Sequence, residues 1–309
     1  MTAAGTARQL SQQLLFVTGK GGVGKSAVAT ALAASAARAG RRVLLVVQRP
    51  DSAAHPQLGI TPQYTPRQVE TNLDLSSIDG HSALKEYVHR TMPAAALYDW
   101  FLDGRAMRHF TAAAPGFDEL MCLGKLYDLV TESDYELVVF DGPATGHATL
   151  MLTVPHTTAS AVRSGPLHNN ALKIQALLTD HARTCVVTVT LAEEMAVREA
   201  LELTSKVGTE LGIALGPIVV NRTTPQLFGA AEIAALGALD GGSAALERMV
   251  AAATTRFARS SAEAEHIDTL AAEHDWLVEV PNVVLARHDA AALIDGMAAA
   301  VASLVGGNG

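Results

Sequence analysis

At 309 residues, 49% of them hydrophobic, the chain has apolar material for one large domain or two small ones, which excludes a disordered protein except at its ends. A formal net charge of −8 offers no basic face to displace counterions from a nucleic-acid backbone, so nucleic acid is excluded as a partner. Two cysteines, Cys122 and Cys185, are too few and too far apart for a disulfide framework or a zinc ribbon.

The first residues are polar or small and lack the apolar centre of a signal peptide, so residues 1–12 read as a flexible tail on a cytoplasmic protein. The apolar run Leu14-Leu15-Phe16-Val17-Thr18 then predicts a buried strand. It delivers the chain to Gly19-Lys20-Gly21-Gly22-Val23-Gly24-Lys25-Ser26, a phosphate-binding loop: closely spaced glycines turn the backbone N–H groups inward around an anion. The run from Ala27 to Ala39 continues as a helix whose N-terminal dipole adds positive potential at the same place. Lys25 would reach the β- and γ-phosphates of ATP, and the Ser26 hydroxyl would hold Mg²⁺. Gly19, Gly21 and Gly24 also satisfy the dinucleotide pattern G-x-G-x-x-G, and Arg49 after the next strand suits a 2′-phosphate, so an NADP-dependent oxidoreductase stands as a remote alternative. Against it, the Lys25-Ser26 pair serves a triphosphate and has no use in a dinucleotide site.

Gly40 supplies a helix cap, and Val43 to Val47 form a second strand in the βαβ rhythm of a parallel sheet. From Pro50 to Tyr64 the prolines and lack of periodicity predict a loop. Residues 82–130 turn mostly helical and read as a helical insertion resting on the sheet, broken near Ala114-Pro115-Gly116. The strand Tyr135 to Phe140 ends at Asp141, followed by Gly142-Pro143-Ala144-Thr145-Gly146-His147. A carboxylate at the carboxyl end of such a strand serves a phosphate-bound Mg²⁺, and this role is preferred to simple turn capping. Further strands are expected at Thr184 to Thr190, Leu215 to Val220 and Trp276 to Val280, completing an α/β, doubly wound, mostly parallel sheet. After the fifth of the six expected strands, Asn221 carries an amide able to read the edge of adenine, while closing a loop fits the spacing nearly as well. Alanine-rich surface helices fill residues 226–275. The stretch from Ala290 to Val305 is too short and too interrupted to span a membrane, and residues 306–309 read as a disordered tail. One domain, residues 13–305, is the resulting plan.

These motifs resemble the ArsA family of deviant-Walker P-loop ATPases, which includes the arsenical-pump ATPase and the ATPase that delivers tail-anchored membrane proteins. The loop from Gly19 to Ser26 looks like the family's deviant Walker sequence. Its first lysine, here Lys20, is implied to reach across a dimer interface to the partner's nucleotide. Asp141 to His147 resembles the D-T-A-P-T-G-H switch, Pro115 to Leu120 the P-G-x-x-E segment, and Val219-Val220-Asn221 the adenine-side V-N, which favours adenine for Asn221. The segment from Gly104 to Arg108 and the turn after it are similar to a bacterial subgroup of anion-transporting ATPases found as adjacent paralogous pairs. The resemblance implies Mg-ATP bound at the interface of a homodimer or a heterodimer with a paralogous ATPase. It also implies a conformational switch acting on a protein client or partner, with a membrane partner by analogy alone.

Four departures matter. Where the family's second strand runs into D-P-A-H, this chain reads Gln48-Arg49-Pro50-Asp51, and arginine stays protonated and cannot serve as a general base. Asp51 is a candidate substitute, and a non-hydrolysing subunit of a heterodimer is the alternative function. Two distant cysteines cannot supply three thiolates to arsenite, there is no C-x-x-C for a shared zinc, and residues 155–184 hold no methionine for a groove around a transmembrane helix. The histidines His109, His147, His156, His168 and His181 lack ligand spacing and are not collected into a metal site.

Overall fold

The computed structural model describes residues 8–48, 55, 57–91, 116–238, 243–283 and 289–306. Among them runs an eight-stranded sheet in the order β3-β4-β2-β5-β1-β6-β7-β8. The strands are β1 (Leu14–Gly19), β2 (Val43–Gln48), β3 (Arg67–Glu70), β4 (Leu73–Ile78), β5 (Leu137–Ala144), β6 (Thr184–Thr190), β7 (Leu215–Thr223) and β8 (Leu277–Pro281). All neighbours pair in parallel except β3, which lies antiparallel on β4. The central strands are apolar on both faces because helices cover both, and every residue of β1 and β6 is buried.

The helices are α1 (Lys25–Arg38), α2 (Gly80–Thr91), α3 (Phe117–Thr131), α4 (Thr145–Ala161), α5 (Pro166–Thr179), α6 (Glu194–Ser205), α7 (Ala230–Gly237), α8 (Ala244–Glu273) and α9 (Ala290–Val305). On one face α1 is buried from Ala27 to Ala37, wedged between the sheet and α9. Alanine is the residue that permits this: it forms helix well and lets two backbones and a sheet approach closely. On the other face Phe16, Phe140, Leu44 and Val46 pack against Leu120, Leu123 and Leu126 of α3 and against α4 and α5. Phe16 and Phe140 meet edge to face at 5.0 Å.

Several expected boundaries move. Residues 8–12 do not trail: Leu10 is buried with its N–H on the Leu304 carbonyl, and Arg8 makes a forked pair with Asp275. The span expected as a helical insertion over 82–130 begins and ends in the sheet's own helical layer, since α2 and α3 both contribute to the second core; residues 92–115 lie outside the described residues. The hairpin of β3 and β4 was not expected. Its turn is Thr71-Asn72, with Asn72 in the left-handed region (φ 61°) that asparagine tolerates well. Gly306 follows α9 directly, and the rest of the 306–309 tail lies outside the described residues.

Candidate functional site

Strand β1 ends at Gly19 beside β6, where a Cβ would stand 2.0 Å from the Val189 carbonyl oxygen, so only glycine lets the two backbones meet there. The chain then turns through Lys20, Gly21 and Gly22 at the surface, buries Val23, and enters α1 from Gly24 in a left-handed conformation (φ 95°). The first turn of α1 has no side-chain cap, which leaves its backbone N–H groups for an anion. Ser26 sits half-buried in that turn, and Ala27 is buried beneath it.

Lys25 lies at the centre of this loop. Its Nζ donates to the Lys20 carbonyl at 3.1 Å, curling the side chain back over the glycines. Burial pushes its ammonium pKa down, and the charge of Asp141 opposes that shift. Asp141 is nearly buried (9% exposed) and stands level with Val17 of β1 on one side and Val47 of β2 on the other. Strand β5 runs on past it to Ala144, so the carboxylate lies inside the strand rather than at its end. Thr18 Oγ1 donates to the Pro143 carbonyl at 2.8 Å and ties the switch to the loop. The hydroxyl of Thr145, where α4 begins, is buried without a hydrogen-bond partner. That orphan hydroxyl and the uncapped helix start fit a polar group such as a phosphate.

Asn221 is buried (4% exposed) inside β7 rather than after it. Its Nδ2 donates to the Val23 carbonyl at 2.8 Å, and its Oδ1 accepts the Arg222 N–H at 2.9 Å. The second contact holds Arg222 in a left-handed turn (φ 59°). The amide therefore braces the loop, and a Cβ on Gly24 would fall 2.3 Å from its Nδ2. One N–H and one acceptor site of the amide remain beyond these two bonds.

The arrangement brings together Gly19, Lys20, Gly21, Gly22, Val23, Gly24, Lys25, Ser26, Ala27, Asp141 and Asn221 at the carboxyl edge of the sheet. Arg49, Asp51 and Pro115 lie outside the described residues. Among the described residues no three His, Cys, Asp or Glu side chains converge on a metal. A Mg²⁺ carried on phosphate oxygens needs no such cage, and a hydroxyl with a carboxylate is its usual protein share. Two features escaped sequence reasoning. Lys20 Nζ is paired at 2.6 Å with Glu199 of α6, and Asn221 serves as a brace. Both link residues far apart in the chain, which no local pattern reports.

Strand order decides between the two glycine-loop readings. In a dinucleotide fold the first two strands are neighbours. Here β5 separates β1 from β2 and sets Asp141 next to the loop lysine. Fold and site together define a P-loop nucleoside-triphosphate-binding protein. The family model described as anion-transporting ATPase matches residues 12–169, and the chain belongs to that ArsA-type family. The chain is 30% identical to the ATPase BagA of Mycobacterium tuberculosis over 231 residues, covering 69% of this chain and 66% of that protein, just under two thirds. It is 30% identical to a putative arsenical pump-driving ATPase of Halobacterium salinarum over 235 residues, 70% of this chain and 36% of that protein. It is 31% identical to the ATPase asna-1 of Caenorhabditis elegans over 158 residues, 48% of this chain and 46% of that protein.

Proposed function

We propose that this chain is a Mg-ATP-hydrolysing molecular switch that assembles as a dimer around its nucleotide and passes the nucleotide state to a protein client or partner. The observation that carries this reading is the placement of Asp141 between β1 and β2, in electrostatic reach of Lys25. Lys25 and the loop N–H groups would neutralise the triphosphate, and Ser26 with Asp141 would hold the metal. A bound Mg²⁺ would supply charge stabilisation to the phosphates. Catalysis in such a site is positioning and electrostatics. Lys20, on the rim, is the residue that acts on the partner's nucleotide. Asn221 fixes the loop and presents its remaining donor and acceptor to adenine.

Arsenite is disfavoured as a ligand. Cys122 and Cys185 are buried in different cores, and burial pushes both thiols up to about 12, far from the thiolate a soft metal needs. Among the described residues no helix is long and apolar enough to cross a membrane. The setting consistent with this reading is the cytoplasm.

The test is steady-state Mg-ATP hydrolysis with Lys25→Ala as the blank, together with the mass in solution with and without ATP. Turnover above the blank with an ATP-dependent doubling of mass is the expected result; neither would sink the proposal. Arg49 motivates a second reading, a nucleotide-binding subunit completed by an active paralog. Under it the isolated chain binds ATP without turnover, and Arg49→Asp raises the rate.

A further inference from the structure

We propose that Glu199 is a cis counter-charge that holds Lys20 against its own chain and so restrains nucleotide-driven assembly. The inference rests on the dimeric reading above and adds a regulatory residue to it. The ammonium of Lys20 lies 2.6 Å from Glu199 Oε1, with the two side chains 34% and 32% exposed. The backbone of the same lysine is held from the other side, because its carbonyl accepts Lys25 Nζ at 3.1 Å. The lysine on the rim is thus fixed at both ends by its own protomer.

Glu199 sits midway along α6, the helix that follows β6, and β6 is the strand against which Gly19 closes. The anchor is therefore a helix seated on the wall of the loop. The other charged side chains of α6 do not replace it: Glu194, Arg198 and Glu202 are exposed, and the last two pair with each other at 3.8 Å. While Lys20 holds Glu199, its positive charge is cancelled and its side chain lies along its own surface. To reach a second nucleotide it must release that carboxylate. The triphosphate of the partner, with a larger negative charge, is the group able to compete for it. The exchange makes assembly conditional on a γ-phosphate in the opposite protomer instead of on charge alone.

A half-exposed pair of this kind is worth about a two- to five-fold change in an equilibrium constant. Each dimer must open two, so removing the restraint should tighten association by about 4- to 25-fold. The experiment compares wild type, Glu199→Gln and Glu199→Asp by sedimentation in saturating Mg-ATP across protein concentration, at low and high salt. The expected result is assembly of Glu199→Gln at lower concentration than wild type, with Glu199→Asp close to wild type. The gap should shrink as salt rises, because screening weakens the restraint in wild type only. Equal or weaker assembly of Glu199→Gln overturns the proposal while leaving the dimeric reading in place, since it would mean that Glu199 acts in the assembled state or not at all. Failure of wild type and both variants to assemble with ATP overturns the dimeric reading and the restraint with it.

Discussion

Replacing Asn221 with alanine removes a side chain that joins β7 to the phosphate loop. Two hydrogen bonds go with it, to the Val23 carbonyl and from the Arg222 N–H. The two losses differ in cost. Val23 is buried, so its carbonyl is left without a partner and away from water, at about 1–3 kcal/mol. Arg222 is exposed, water replaces the amide there, and about 0.5–1 kcal/mol is lost. The expected destabilisation is about 1.5–4 kcal/mol, which at a urea dependence of about 3 kcal/mol/M lowers the unfolding midpoint by about 0.5–1.3 M. The same change frees the turn at Gly24, so nucleotide affinity should fall alongside stability, by about tenfold for each 1.4 kcal/mol of loop ordering lost. Urea titration followed by tryptophan fluorescence, paired with equilibrium dialysis against ATP, checks both. A variant that loses stability yet binds ATP as wild type does would refute the brace, and an unchanged urea midpoint would show that the Val23 carbonyl has another partner.

Two further outcomes follow from the geometry. Gly19→Ala should destabilise by about 3 kcal/mol, because the new methyl would meet the Val189 backbone, which cannot rotate away as a side chain can; a melting temperature equal to wild type would contradict this. Glu263 provides the pH dependence. Burial alone would raise its carboxyl, but hydrogen bonds from Arg259 and from the N–H and hydroxyl of Thr224 outweigh that and hold it below the ordinary range. With the folded value below the unfolded one, its stabilisation is present above the ordinary carboxylate pKa and is lost as pH falls through the folded value. Glu263→Gln should therefore cost about 2 kcal/mol at pH 7 and almost nothing at an acid pH below the folded value, where wild type is itself protonated. Urea unfolding at the two pH values measures the gap, and a gap that persists in acid would count against the assignment.

The central strands were legible because parallel strands buried on both faces are written as mostly apolar runs, and β1, β2, β5, β6 and β7 each carry such a run. The edge hairpin was not. In β4 the buried Leu73, Leu75 and Ile78 are interrupted by Asp74, Ser76 and Ser77, and β3 is half exposed, so neither gives a clean period. The glycine loop and Asp141 could be read because their chemistry is local, one segment for the phosphates and one residue for the metal. Glu199 and the bracing role of Asn221 could not, because each acts on a residue that the fold alone brings near. The helical layer was misjudged for a related reason: the pattern of α3 shows an apolar face but not which surface that face covers.

The position of β1 has a bearing on how the protein is made. Leu14 pairs with Val138 on one side and Thr184 on the other, and the loop that follows is pinned by Asn221. Those partners leave the ribosome long after the glycines do. Pairing over such separations is slow, and until it happens the apolar Leu14–Val17 segment has neither wall of its sheet and remains open to chaperones or to another chain. An early pause in synthesis, or a fragment ending before Thr184, would present the full nucleotide motif in sequence with no cradle to shape it.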